Sequence, residues 1–146
     1  MLPIERTIIP DVIKDQQIIS LPKQATVREA VQVMAERRIG AIPIVERGRL
    51  VGIFTERDVV FKVVAAGRDP TITTLIEVMT REPETLSPSD TVRDALDKMN
   101  AGHFRHLPVI AENRLVGIIS VRDLYQSVLD QTSTDIILLA EGLLQG

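Results

Sequence analysis

The sequence contains no cysteine and no tryptophan, and aromatic residues make up only 3% of it. The absence of cysteine excludes disulfide frameworks, cysteine-ligated zinc sites and thiol nucleophiles. Because aromatic side chains are so scarce, valine, isoleucine and leucine must fill the core. With 45% hydrophobic residues among 146, the chain has enough apolar side chains for one compact domain or two very small ones.

The sequence also lacks a basic excess and a long apolar run. It has 17 Lys and Arg against 20 Asp and Glu, a formal net charge of −3. Nucleic-acid-binding proteins usually carry a strong basic excess and stacking aromatics, so no nucleic-acid partner is predicted. No apolar run approaches the ~20 residues that cross a bilayer, and residues 1–10 have no apolar stretch of signal-peptide length. We therefore expect no membrane span and a cytoplasmic location.

What the sequence does contain is an internal repeat. A shift of 65 residues superposes Thr26–Val59 on Thr91–Leu124 without a gap, and 13 of the 34 positions are identical. The identical pairs in the second half of the repeat are Pro43/Pro108, Arg49/Arg114, Leu50/Leu115, Val51/Val116, Gly52/Gly117, Ile53/Ile118, Arg57/Arg122 and Asp58/Asp123. The chain is thus two copies of one unit of roughly 60 residues, a size that is marginal in isolation. We expect the two units to share one core.

Each unit has the same predicted element order. An extended stretch comes first, at Ile18–Leu21 and Glu84–Leu86. A helix follows the predicted N-caps Thr26 and Thr91, each with an acidic residue three positions on. Two strands joined by a tight turn then lead to a second helix; the predicted strands are Ala41–Val45, Leu50–Phe54, Leu107–Ile110 and Leu115–Ile119. This order predicts an α/β (α+β) fold of tandem β-α-β-β-α units.

Two segments lie outside the repeat. The connector Gly67–Glu82 contains a predicted short helix around Leu75–Met79. Residues 136–146 form an apolar tail that is too short and too interrupted to span a membrane. We expect the tail to be a terminal helix that covers apolar surface, either on its own subunit or on a second one.

The repeated motifs resemble those of the CBS domain, and the pair resembles a Bateman module of the stand-alone bacterial type. The segments that carry the resemblance are Gly40–Val45, Leu50–Asp58, Phe104–Val109 and Leu115–Asp123. The resemblance covers roughly Pro10 to Gln131. It places CBS domain 1 at residues 10–68 and CBS domain 2 at residues 79–135, followed by the tail at residues 136–146.

The resemblance implies a pseudo-twofold pair of units, two ligand clefts between them and a homodimer of modules. It implies a regulatory adenine nucleotide, AMP, ADP or ATP, or another adenosyl ligand, with no required cofactor. Because the chain shows no effector domain, we expect a sensor that acts through a separate effector protein or through its own dimer geometry.

Two Thr/Ser-x-x-Asp motifs are the first candidate ligand residues: Thr55 with Asp58, and Ser120 with Asp123. Each motif follows a strand and begins a helix, whose free N–H groups suit a phosphate. The carboxylate can accept hydrogen bonds from two adjacent sugar hydroxyls. The alternative is a capping box, in which both residues serve only the helix. The resemblance favours the ribose–phosphate role.

Arg105 and His106 are the second candidates, because the resemblance places basic side chains here, facing the ligand phosphates. The alternative is two solvated residues at the start of a strand. The first unit has Gly40 and Ala41 at these positions, and neither side chain can pair with phosphate. We therefore expect an asymmetric pair, in which the cleft of the second unit is favoured for a phosphorylated ligand.

The resemblance also implies contacts to the base, for which core packing is the alternative. The candidates are Ile19, Ser20, Ile42, Pro43, Thr85, Leu86, Leu107 and Pro108. Arg57 and Arg122, inside the two motifs, are candidates for contact with phosphate or with a second subunit. Their alternative is a surface ion pair worth roughly 0–1 kcal/mol.

Other functions are less well supported by the sequence. The two histidines, His103 and His106, are too few for a zinc site without cysteine, so no metal is predicted. No phosphate-binding Gly-x-x-x-x-Gly-Lys loop or nucleophile elbow is present, so we expect no catalytic residue and no enzyme. The second hypothesis is a structural or protein-interaction module with degenerate ligand sites, motivated by the apolar tail and by Gly40–Ala41.

Overall fold

The computed structural model describes residues 2–145, with the side chains of residues 133–135 and 143–145 outside the described set. The helices and strands are α1 (Val27–Arg37), β1 (Ala41–Glu46), β2 (Arg49–Thr55), α2 (Glu56–Asp58), α3 (Leu75–Val78), β3 (Thr80–Arg81), α4 (Val92–Gly102), β4 (His106–Ala111), β5 (Arg114–Ser120) and α5 (Val121–Gln145). A 3-10 turn lies at Pro3–Glu5, and π-helical turns lie at Ile8–Val12 and Val59–Val64. The predicted α+β fold of two similar units is confirmed.

Each unit contains an antiparallel hairpin of the same design. The pairing of β1 with β2 runs from Ala41–Thr55 to Glu46–Arg49, and β4 pairs with β5 in the corresponding register. Both turns place two consecutive residues at positive φ; these residues are Arg47, Gly48, Glu112 and Asn113. Consecutive positive φ values are typical of the tight turn whose twist matches that of the flanking strands.

The predicted first strand of each unit is observed only as an isolated bridge of one residue. Leu21 bridges Ile44, and Leu86 bridges Val109, both in the parallel sense. The N–H of each leucine donates to the carbonyl oxygen of a strand proline, at 3.2 and 2.9 Å. In the first unit the N–H of Lys23, the next one that could face β1, donates instead to the carboxylate of Glu46 at 2.8 Å.

Helices α1 and α4 begin at the predicted caps. The Thr26 hydroxyl accepts from the N–H of Glu29 at 3.2 Å, and Thr91 accepts from Asp94 at the same distance. In return, the Asp94 carboxylate accepts from the N–H and the hydroxyl of Thr91, which holds the pKa of Asp94 below its usual value. Each helix therefore has a fixed first turn.

The apolar residues form two cores, so the expectation of one shared core is wrong. The first core consists of Ala25, Val27, Ala30, Met34, Ile42, Ile44, Phe54, Val63, Leu75, Val78 and Met79. The second consists of Ile8, Leu86, Val92, Ala95, Met99, Leu107, Val109, Ile119 and Leu124.

Each core is completed by the segment that precedes the other unit in the chain. Ile8, from the N-terminal turn, is fully buried in the core of the second unit. Leu75 and Val78 of α3, from the connector, are buried in the core of the first unit. The two units are thus interlocked, because neither core is complete without a segment from outside its own repeat.

The apolar tail continues α5 without a break. Ile136, Ile137, Leu138 and Leu139 are between 57% and 70% exposed. These four side chains therefore do not cover apolar surface on their own subunit, which was one of the two expectations. Within the described part of the chain, no helix has both the length and the hydrophobicity to cross a membrane.

We expect Ile8→Ala to lower the free energy of unfolding by about 2–5 kcal/mol, since it removes a fully buried side chain from the second core. Urea denaturation followed by circular dichroism measures the loss. The control is Ile72→Ala, because Ile72 is 75% exposed and its truncation should change the free energy by less than about 0.5 kcal/mol. Equal midpoints for the two variants would show that the N-terminal segment does not contribute to the core.

Candidate functional site

A cleft of about 810 Å³, here called the inter-unit cleft, opens between the two units. The second unit lines it with Arg105 and His106, at the start of β4, and with Ser120 and Asp123, at the junction of β5 and α5. The structure therefore brings together, on one cleft wall, the two pairs of side chains that the motifs of the second unit had singled out. The rest of the lining comes from the first unit and from the linker that leads into it, residues 14–20, and includes Gln16, Gln17, Ile19, Arg38, Gly40, Ala41, Pro43 and Glu56.

Ser120 and Asp123 form a capping box at the start of α5. The N–H of Ser120 donates to Oδ2 of Asp123 at 2.8 Å, and the N–H of Asp123 donates to Oγ of Ser120 at 3.1 Å. The capping interpretation of this motif is thus confirmed. It does not exclude the other role, because both residues remain partly exposed on the cleft wall and only one carboxylate oxygen of Asp123 serves the cap.

The equivalent motif of the first unit is closed. Asp58 is only 7% exposed, and its Oδ2 accepts from the N–H of Thr55 at 3.0 Å. Its other oxygen, Oδ1, lies 3.1 Å from the ammonium of Lys62. Both oxygens are therefore used within the unit, and neither Thr55 nor Asp58 lines the inter-unit cleft.

The Lys62 ion pair has no counterpart in the second unit. The repeat places Ser127 where the first unit has Lys62, so Asp123 has no lysine one helical turn away. Instead, the Ser127 hydroxyl accepts from the guanidinium of Arg6 at 2.9 Å. The preference for the second unit that we expected from Arg105 and His106 stays a prediction, and the replacement of Lys62 by Ser127, already present in the aligned repeat, supports it.

Gly40 is part of the cleft rather than a defect in it. A Cβ atom at this position would lie 3.1 Å from Oε1 of Glu56 and 3.2 Å from Cε1 of His106. Both distances are shorter than ordinary van der Waals contact, so a larger residue would crowd these two side chains. Because residue 40 of the first unit is glycine, His106 of the second unit can lie directly against its backbone.

The surroundings of His106 favour its neutral form. Burial is the main influence and lowers its pKa below the usual 6.5, as the charge of Arg105 also does, whereas the charges of Glu56 and Asp123 raise it. Of the two roles expected for this histidine, a charge or a neutral donor, the environment favours the neutral donor.

The predicted base contacts are only partly brought together. Ile19 and Pro43 line the inter-unit cleft, but Ser20 is exposed outside it. Thr85 lies in a separate small groove of about 250 Å³ with Arg49 and Asn113. The remaining candidates line neither the cleft nor the groove: Ile42, Leu86 and Leu107 are packed in the cores, as the alternative interpretation held, and Pro108 is buried.

Arg57 and Arg122 occupy different environments. Arg122 lines the inter-unit cleft. Arg57 donates through a guanidinium N–H to the carbonyl oxygen of His103 at 2.8 Å, and it lies 5.8 Å from the ring centroid of Phe61. Arg57 thus links the first unit to the end of α4 and does not face the cleft.

Sequence reasoning predicted Ile19 of the N-terminal linker as a site residue but missed Gln16 and Gln17 of the same segment. The Gln16 amide donates to the carbonyl oxygen of Ile118 at 2.9 Å and accepts from the N–H of the same residue at 2.8 Å. Gln16 therefore pairs with the free edge of β5 much as a neighbouring strand would. The linker is held on β5 in this way, and its residues Gln17 and Ile19 form part of the cleft wall.

Arg38 and Glu56 were also missed as cleft residues. Arg38 ends α1 in the left-handed conformation, with φ 54, which turns the chain toward the cleft. Glu56 stands inside the Thr55 motif, at the position that Val121 occupies in the second unit. The only signal for Glu56 was this difference between the copies.

Comparisons with known proteins identify the family. The model of the CBS domain matches residues 11–65 and 75–130. The chain belongs to the CBS domain family. It is 37% identical over 108 residues to the CBS domain-containing protein YhcV of Bacillus subtilis, a match that covers 74% of this chain and 76% of that protein.

Solved CBS structures have the same fold. One is a putative signal-transduction protein from Burkholderia ambifaria, with a TM-score of 0.79, 33% identity and coverage of 84% of this chain and 93% of that one. Another is the CBS domain pair of protein MJ0100, in complex with 5′-methylthioadenosine and S-adenosyl-L-methionine. Its TM-score is 0.73 at 27% identity, with coverage of 82% of this chain and 93% of that chain.

We expect Gln16→Ala to speed hydrogen exchange at the Ile118 amide, because the variant removes its acceptor. A net hydrogen-bond contribution of about 0.5–1.5 kcal/mol corresponds to roughly two- to tenfold faster exchange. The matched control is Gln17→Ala, which changes a neighbouring glutamine with no hydrogen bond to β5. If NMR-detected exchange at Ile118 is the same in both variants, the linker is not held by Gln16.

Proposed function

We propose that this CBS pair is a regulatory sensor that binds an adenine nucleotide or another adenosyl ligand in the inter-unit cleft. The observation that carries the proposal is the convergence of Ser120, Asp123, Arg105 and His106 on one cleft. Its volume of about 810 Å³ is within the range of roughly 300–1,000 Å³ that is usual for ligand pockets. CBS domains are generally regulatory rather than catalytic modules, and we assign no catalytic residue.

Each part of the ligand has a complementary group in the cleft. The free oxygen of Asp123 accepts from the ribose hydroxyls, which needs no change in the cap that its other oxygen makes. The phosphates lie toward Ser120 and the first turn of α5, where Arg105 and Arg122 supply positive charge. The base packs on Ile19 and Pro43, which line the same cleft.

The proposed stoichiometry is one ligand per chain. The Thr55–Asp58 motif is the equivalent of the ligand motif, but its carboxylate is buried and paired with Lys62. Binding there would require this ion pair to break, and a buried carboxylate that loses its partner is costly. The cleft at Ser120–Asp123 requires no such rearrangement.

The signal would leave the module through its helices. Exposed apolar side chains stand at equivalent positions of the second helix of each unit: Val60 and Val64 in the first, Tyr125 and Leu129 in the second. Such a matched pair of apolar faces suits a homodimer of modules or contact with an effector protein. A ligand that contacts both units favours one relative arrangement of them, and this arrangement is what a partner would read.

A second candidate function is a protein-interaction module whose ligand sites have degenerated. The four exposed apolar residues 136–139 near the end of α5 favour it, because exposed apolar patches often mark sites of protein contact. A protein-interaction surface can exist with or without a working ligand site. The measurement that distinguishes the two proposals is therefore ligand binding in the inter-unit cleft.

We expect Asp123→Asn to weaken binding of AMP or ATP by roughly ten- to a hundredfold, since it removes charge-assisted hydrogen bonds to ribose worth about 1.5–3 kcal/mol. The asparagine carbonyl can still accept the cap hydrogen bond, so the fold should be retained. Asp58→Asn is the matched control, and its affinity should stay within about threefold of the wild type because its carboxylate does not face the cleft. Isothermal titration calorimetry measures both affinities.

Two results would contradict this proposal. Equal losses in Asp58→Asn and Asp123→Asn would remove the assignment of the site to the second unit. No heat from AMP, ATP or S-adenosylmethionine with the wild-type protein would favour the interaction module instead.

A further inference from the structure

Helix α5 carries an apolar stripe that its own module leaves uncovered. The inner side of the helix packs on the second core through Leu124, which is fully buried. On the outer side, Tyr125, Leu129, Ile136 and Leu139 are each more than half exposed. At 3.6 residues per turn these four positions lie within about 80° of one another around the helix. The stripe therefore runs from the second CBS unit into the tail.

The tail end of this stripe lies outside the family match, which ends at residue 130. Residues 136–139 make up one helical turn, and all four side chains are apolar and exposed. A helix that is apolar on every side is normally buried. This turn is thus the part of α5 that most requires a covering surface.

The polar residues of the tail are acidic. Between residues 124 and 146 the sequence has no lysine or arginine and three acidic residues, Asp130, Asp135 and Glu141. Two such helices packed side by side would bring like charges together. Helices that lie on lipid surfaces usually carry lysine and arginine, which meet anionic headgroups. The charge therefore favours a basic protein surface over a second tail or a membrane.

The first unit has a surface of this kind, here called the first-unit face. It consists of Val60, Phe61 and Val64, which are each more than half exposed. The Lys62 side chain, 43% exposed, lies among them in the sequence. The guanidinium of Arg57 lies 5.8 Å from the centroid of the Phe61 ring. The first-unit face is therefore apolar at its centre and basic at its border, complementary to the tail.

Within one chain the two surfaces do not cover each other, because both are exposed. A second copy of the chain supplies what each surface lacks. Its first-unit face can receive the tail of the first copy, and its own tail can cover the first-unit face of the first copy in return. Twofold symmetry makes the same contact twice, so one dimer covers all four surfaces.

We propose that this chain forms a homodimer in which residues 136–139 of each copy pack on the first-unit face of the other. The second unit of each module then lies beside the first unit of its partner, so the two modules are arranged head to tail. The inference names the partner of the tail and the orientation of the dimer, and it does not depend on a ligand in the inter-unit cleft.

The first measurement is the association state of the full chain by sedimentation velocity. Ile137→Asp and Val64→Asp each place a charge in one of the two surfaces, at exposed positions where the fold should be retained. We expect a dimer for the wild type and a dissociation constant about tenfold higher or more in each variant. Ile72→Asp is the matched control, because it makes the same change at an exposed position outside both surfaces, and it should stay within about threefold. Thermal unfolding shows that each variant is folded.

The second measurement determines which surfaces meet, by cross-linking with a short bis-maleimide. The sequence contains no cysteine, so a single introduced thiol gives an unambiguous product. Leu138→Cys and Val64→Cys are prepared as separate proteins, one of them with a size tag, and are treated alone and as a mixture. We expect a cross-linked dimer of one tagged and one untagged chain in the mixture, and no product from either protein alone. A mixture of Leu138→Cys with Ile72→Cys is the control and should give no product.

Four results would overturn the inference. A product from Leu138→Cys alone would show that tail pairs with tail, and a product from Val64→Cys alone would show that like units meet. A wild-type chain that is monomeric at the cross-linking concentration would leave the tail to a different partner. Co-sedimentation of the wild type, but not of Ile137→Asp, with phosphatidylcholine vesicles would assign the tail to a membrane. None of these results alters the calorimetric comparison of Asp123→Asn with Asp58→Asn, so the proposed function is tested separately.

Discussion

Ile8 of the N-terminal segment lies in the core of the second unit, and Leu75 of the connector lies in the core of the first. This exchange is the constraint on which the rest of the structure depends. A unit of roughly 60 residues buries too little surface to be more than marginally stable alone. Because each core takes a segment from outside its own repeat, the two units are held in one arrangement. The inter-unit cleft exists only in that arrangement.

The exchange also explains why the linker enters the site. The chain leaves the second core after Ile13 and reaches the first core at Leu21, so it must cross from one unit to the other. Its route runs along the open edge of β5, where Gln16 hydrogen-bonds to Ile118. The same crossing places Gln17 and Ile19 against the cleft. Core packing and cleft shape are therefore properties of one segment.

The differences between the copies matter more for the site than their similarities. The repeat supplies the same caps and hairpins twice, and with them two possible ligand motifs. Lys62 closes one motif by pairing with Asp58, whereas Ser127 leaves the other carboxylate without a lysine. A second pair of equivalent positions also differs: the first unit has the small residue Gly40, and the second unit has the charged residue Arg105. One duplicated scaffold thus yields one open cleft and one closed motif.

The sequence was sufficient for features that depend on local spacing. The capping boxes at Thr26 and Thr91, the hairpin turns and the short helix in the connector all follow from residues a few positions apart. Spacing does not show which unit an apolar segment joins, so the two cores and the exchange were not predictable. Arg38 lies at the cleft because α1 ends in the left-handed conformation at this residue, and no pattern in the sequence predicted that helix end. Leu107 shows the converse, since a residue adjacent to site residues in sequence can lie entirely in the core.

Helix α5 begins directly after Ser120 and continues without a break to Gln145. At 1.5 Å per residue, its 25 residues span about 37 Å. Its first turn borders the inter-unit cleft, and its far end carries the exposed apolar residues 136–139. Leu124, in that first turn, is fully buried in the second core. One helix therefore links the cleft, the second core and an exposed apolar surface, and the core sets the direction in which that surface is presented.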